Sequence, residues 1–119
     1  MNLYLAGPMR GIPGFNFPKF DEVTATLRFI GHTVFSPAEH DRECGFAELE
    51  NSPDGSDEST ERAGFSLAEA LIADLTYIAR EADGVYLLPG WEKSKGCAAE
   101  VALATALGKP LFFHRELGE

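Results

Sequence analysis

Four short apolar runs set the plan of this chain: Asn2 to Ala6, His32 to Phe35, Gly84 to Leu88 and Leu111 to Phe113. Three of them stop on a turn dipeptide, Gly7-Pro8, Ser36-Pro37 or Pro89-Gly90, as buried strands do. Between the runs, apolar residues return at helical spacing. Phe20, Val23, Leu27 and Ile30 do so from about Phe17 to Ile30, with Gly31 standing where a C-terminal cap would. Ser66 is the N-cap of a second helix, whose stripe of Leu67, Leu71, Leu75 and Ile78 runs to about Glu81. A third, Cys97 to Leu107, is apolar nearly all round and ends at Gly108 and Pro110. Strand and helix alternating in this way form βαβ units, so the expected fold is α/β, a parallel sheet covered on both faces with right-handed crossovers.

A chain of 119 residues carries one core and hence one domain, 1–119, large enough to stand without disulfides or a structural metal. The stretch 37–65 is poor in apolar side chains and holds the acidic run ENSPDGSDESTE at 50–61. It is expected to be an irregular loop, either a lid over a site or mobile. Nineteen acidic against ten basic residues leave a net charge of −9, which disfavours a nucleic-acid polymer or an anionic membrane as partner. Cys44 and Cys97 form no C-x-x-C pair, and His32, His40 and His114 lack ligand spacing, so no metal site is expected. The first apolar run is broken by Gly7, Pro8 and Arg10 before a signal peptide or membrane span could form, and a cytoplasmic location is expected.

Two carboxylates do not suit their surroundings. Glu100 is the one charged residue in CAAEVALATAL, and Asp74 falls on the same helical face as Leu67, Leu71 and Ile78. A buried carboxylate must be paired or hydrogen-bonded, or else be kept for chemistry. Helix-dipole stabilisation would account for Glu100, and a position at the border of the stripe for Asp74. Ligands of open parallel sheets bind at the carboxyl ends of the strands, from which the turns Gly7 to Gly11, Ser36-Pro37 and Pro89 to Gly96 depart. The last leads into the helix of Glu100, where Ser94, Lys95 and Gly96 offer a hydroxyl and backbone N–H groups to an anion such as phosphate, or serve simply as a cap. Tyr4 is either a core aromatic or a polar handle. Trp91 either stacks on a planar ligand or closes the edge of the core.

Taken together, YLAGPMRG at 4–11, Asp74 on its helix, and S-x-G-x-x-x-E at 94–100 followed by A-x-A-x-x-L-G-K-P resemble the nucleoside 2-deoxyribosyltransferase superfamily over almost the whole chain. The architecture is closest to its small phage-type members, and the site motifs are similar to those of 2′-deoxynucleoside 5′-phosphate N-hydrolases. The resemblance implies a single-domain Rossmann/flavodoxin-like three-layer fold with about four or five parallel strands. It implies Glu100 as nucleophile, Asp74 as acid/base and Tyr4 as the residue that orients the nucleophile. Where transferases acting on free nucleosides tend to carry an aspartate, this chain has Ser94, which with Gly96, Gly7 and Arg10 suits a phosphate. Ala98, where the family often has glycine, and the acidic insertion depart from the pattern.

The implied activity is hydrolysis of the base–sugar bond of a (deoxy)nucleoside 5′-monophosphate through a covalent glycosyl-Glu intermediate, with no cofactor. Base exchange by a nucleoside 2-deoxyribosyltransferase is the alternative, and a non-catalytic nucleotide-binding module a second one, against which the presence of all three of Tyr4, Asp74 and Glu100 argues. The implied partners are a small nucleotide or nucleoside and further copies of the chain, as a homodimer or higher homo-oligomer.

Overall fold

The computed structural model describes residues 1–115. Its four strands, β1 (Asn2–Ala6), β2 (Thr33–Phe35), β3 (Gly84–Leu87) and β4 (Leu111–Phe113), form one parallel sheet in the order β2-β1-β3-β4. The α-helices of the described residues are α1 (Phe17–Phe29), α2 (Pro37–Glu43), α3 (Asp57–Ala63), α4 (Leu67–Arg80) and α5 (Lys95–Ala106). The fold is the expected α/β class, a compact domain of the Rossmann/flavodoxin kind, with strands and long helices within one or two residues of their sequence bounds. No helix of the described residues is long and apolar enough to cross a membrane.

The period of two along β1 sorts the core. Leu3 and Leu5 point into one cluster with Phe17, Phe20, Val23 and Leu27 of α1. Tyr4 and Ala6 point the other way, into a cluster with Ile78 of α4 and Cys97 and Ala104 of α5. Tyr4 is thereby aimed at the layer that carries both unusual carboxylates, and its ring stacks on Phe35 of β2 at a centroid distance of 5.7 Å. The strand order reverses at β1, so a crevice opens between the carboxyl ends of β1 and β3, the usual ligand position of such sheets.

The segment 37–65 is more ordered than its composition predicts. Ser36 caps α2, its hydroxyl accepting from the backbone N–H of Glu39, and Ser56 caps α3 through Ser59. A 3-10 turn over Ala47–Asn51 lies between them. Helices of seven residues bury too few side chains to leave a periodic apolar signal, and polar contacts do much of the anchoring: Ser52 bonds Ser59 side chain to side chain at 2.8 Å, and Gly14 N–H donates to the Ser52 carbonyl at 2.7 Å. Gly55 packs so tightly on the turn after β1 that a Cβ there would stand 2.3 Å from the Ile12 carbonyl oxygen, and its φ of 63° suits glycine alone.

Two helices are wetter than expected. Of the α4 stripe, only Ile78 is fully buried; Leu67 is 42% exposed and Asp74 takes the inward position beside it. On α5 the inner face of Cys97, Glu100 and Ala104 is buried, while the outer residues Ala98, Ala102, Thr105 and Ala106 are exposed. An all-apolar helix predicts burial on every side, and a single layer of cover cannot supply that at the surface of so small a domain.

Candidate active site

A cavity of about 780 Å³ opens at the switch point, bounded by the turn after β1, by α2 to α4, and by the start of α5. On its floor the Tyr4 hydroxyl donates to Glu100 Oε2 at 2.6 Å. Tyr4 is fully buried, Glu100 is 5% and Asp74 7% exposed, and all three line the cavity. Removal from water pushes both carboxyls well above the ordinary carboxylate range. Hydrogen bonding from Tyr4 opposes that rise in each, while the charge of Asp74 adds to it in Glu100. Two such groups cannot both ionise cheaply at neutral pH. Tyr4 has one proton to give and directs it at Glu100, a bond that favours the ionised form of that carboxyl.

The rim at α5 is built by capping. Ser94 Oγ accepts from the backbone N–H of Cys97 at 3.2 Å, which starts the helix and leaves the hydroxyl proton to point elsewhere. Ser94, Lys95 and Gly96 line the cavity, joined by Lys93. The Cys97 thiol beside them is pushed up to about 12 by burial, which leaves it neutral and a poor nucleophile. Gly7 also lines the cavity. A Cβ on it would fall 2.9 Å from two side-chain atoms of Leu88, so a larger residue would force β1 and β3 apart where their turns diverge.

Arg10 reaches the rim from the other side, with Nη1 3.3 Å from Asp57 Oδ1 at the start of α3. The turn that carries it ends in two non-glycine residues of left-handed backbone, Phe15 (φ 51°) and Asn16 (φ 64°), held by the Asn16 amide donating to the Pro8 carbonyl at 2.9 Å. Backbone strain of this kind persists only where surrounding contacts enforce it. Of the eight residues singled out in the sequence, Trp91 is the one the cavity lining omits. Its ring lies 5.9 Å from that of Phe113, where it covers the end of β4.

The sequence reading missed Asp41 and Lys93. Asp41 on α2 is 6% exposed, lines the cavity, and is pushed up to about 7 by burial and by the charge of Asp74. Pro37, Ala38 and Asp41 are the buried positions of α2, a helical spacing confined to one turn and hidden in a stretch that reads as loop.

No curated protein matches the chain. Among solved structures it is similar to a 2-deoxyribosyltransferase from the psychrotolerant bacterium Bacillus psychrosaccharolyticus, with 28% of residues identical and a TM-score of 0.58, over 100% of this chain and 75% of that one. Together with the family match this supports a place in the nucleoside 2-deoxyribosyltransferase-like superfamily. The family model that matches residues 1–113 covers nearly the whole chain, which thus belongs to the family described as a domain of unknown function (DUF4406).

Proposed function

We propose that the chain is an N-glycosidase acting on a (deoxy)nucleoside 5′-monophosphate, in the manner of the 2′-deoxynucleoside 5′-phosphate N-hydrolases. The observation that carries this reading is the buried hydrogen bond from Tyr4 to Glu100 beside Asp74, in a cavity whose rim is the N-terminus of α5. Glu100, kept ionised by Tyr4, attacks C1′ of the sugar. The C1′–N bond breaks, its electron pair leaves with the base, and Asp74 delivers its proton to that base. Water then attacks C1′, Asp74 takes up the water proton, and Glu100 is released as carboxylate.

Ser94, Gly96 and the first N–H groups of α5 receive the phosphate, with Lys93, Lys95 and Arg10 as the nearby cations and Gly7 leaving room for the sugar. The segment 37–65 acts as the lid, since Ser56, Asp57, Thr60 and Phe65 form one wall of the cavity. Two copies of the chain pair through the layer of α4 and α5. Exposed residues of α5 between Gly96 and Gly108 carry no charge, and Ile72 on α4 is 59% exposed, an unusual pair of surfaces for water to meet.

Base exchange is the second reading, favoured by the likeness to a 2-deoxyribosyltransferase. Incubation with each common nucleoside monophosphate, with and without a free acceptor base, followed by chromatography, tests both. Free base and sugar phosphate are expected without acceptor. Release only when an acceptor is present would exchange the two readings, and no release from any substrate would end both.

A further inference from the structure

Asp41 has no use in the chemistry just described, and its surroundings give it no partner. The residue is 6% exposed and lines the cavity, and its carboxyl accepts no hydrogen bond among the described residues. Arg42, next to it on α2, is held by Asp21 and Glu50, and Arg10 in the cavity lining by Asp57, while Lys93 and Lys95 line the cavity at the α5 end. A carboxyl that opens only on the cavity has water as its donor, so a ligand that displaces that water must itself supply a donor.

The packing of the helices places Asp41 along the cavity. Helix α4, which carries Asp74, packs against α5 on one side and α2 on the other, and all three helices contribute to the cavity lining. The order is therefore α5 rim, Glu100, Asp74, Asp41. With phosphate at the rim and the sugar over Glu100, the group beyond Asp74 is the base, and Leu49, on the turn that packs against α2, gives that end an apolar wall suited to a flat ring.

We propose that Asp41 determines which base is accepted, by receiving the exocyclic amino group of a base whose neighbouring ring nitrogen takes the proton of Asp74. Asp74, which as the acid of the proposed reaction carries a proton, and the Asp41 carboxylate, which has no donor of its own, present a donor beside an acceptor. That pair matches a ring nitrogen next to an amino group, as on adenine (N7 and N6) or cytosine (N3 and N4). The deaminated counterparts, hypoxanthine and uracil, put a carbonyl oxygen against the Asp41 carboxylate and are rejected.

The inference rests on the proposed N-glycosidase reading, and its test separates the two. Base release at pH 8 is measured for the 5′-monophosphates of deoxyadenosine against deoxyinosine and of deoxycytidine against deoxyuridine, in wild type and Asp41→Asn. Wild type should favour the amino member of each pair by about ten- to a hundredfold in kcat/KM, the range of one hydrogen bond to a charged group. Asn is the same size but turns either an oxygen or an NH2 to the ligand, so the variant should bring both ratios to within about threefold of unity and gain on the deaminated substrates. A merely structural role would produce no such gain. Equal loss on all four substrates, or a wild-type ratio near one, overturns the role of Asp41 and leaves the glycosidase intact. If wild type releases no base, calorimetric affinities for the same nucleotides decide: an amino preference lost in Asp41→Asn upholds the inference after the activity has fallen, and no preference removes both.

Discussion

At the scale of single residues, three carboxyls share one low-dielectric space, and what distinguishes them is their hydrogen bonding. Glu100 accepts a hydrogen bond from Tyr4 at 2.6 Å, and Asp41 accepts none among the described residues. Glu100→Gln keeps the size of the side chain and removes the nucleophile, so base release should fall at least about a thousandfold while the melting temperature holds or rises, since a costly buried acid becomes a neutral amide. Activity within about tenfold of wild type would assign the attack on C1′ to another group. Asp41 makes its own prediction for stability. Its carboxyl is raised from 3.8 to about 7, so between those values the folded chain holds a proton that the unfolded chain has released, and folding weakens as pH rises through that window. Asparagine imitates the neutral acid at every pH. The stability of Asp41→Asn over wild type should therefore widen by roughly 2–3 kcal/mol between pH 5 and pH 8. Urea midpoints at the two pH values measure it, and a gap that does not change with pH would mean that Asp41 is not held neutral by the fold.

At the scale of elements, the start of α5 joins fold to function, because the same serine caps the helix and faces the ligand. Asp caps a helix about as well as Ser, so Ser94→Asp should leave α5 intact while setting a negative charge against a phosphate. The ratio of kcat/KM for a monophosphate over its nucleoside should drop by on the order of a hundredfold, and an unchanged ratio would remove the phosphate from this end of the cavity. Elements of this kind were plain in the sequence. β1, β4, α4 with its Ser66 cap and α5 follow from apolar periodicity and capping residues, and a sheet of four parallel strands needs little more. Tyr4, Asp74 and Glu100 stand out as polar residues in apolar company, and the fold brings them to one cavity. What stayed hidden lies in 37–65, where helices of seven residues are held by serine caps and by the Ser52–Ser59 bond. Polar anchoring leaves no hydrophobic period, so neither α2 nor Asp41 could be read there. Trp91 stands after a strand end, a position that suits a ligand stack and an edge cover equally; its ring lies beside that of Phe113 and outside the cavity lining.

At the scale of the whole molecule, the distribution of apolar surface is uneven for a chain of net charge −9. A solvated helix face normally carries charges at its exposed positions, yet the outer face of α5 shows Ala98, Ala102, Thr105 and Ala106, ending in Leu107, which is 50% exposed. Small side chains let another helix approach closely, and Ile72 extends the apolar area onto α4, which packs beside α5. A second copy covering this face would bury these residues and hold the Glu100 helix more firmly. Light scattering at micromolar concentration should therefore give twice the chain mass. Ala102→Arg tests the face itself. Its side chain would point into solvent in a single chain, so the fold should survive with unchanged circular dichroism, while the buried charge should cost a dimer on the order of 3 kcal/mol or more and shift the mass to that of one chain. Should the variant keep the dimer mass, the contact lies elsewhere, and a wild type that is active as a single chain would show that the cavity needs no second copy to bind its substrate.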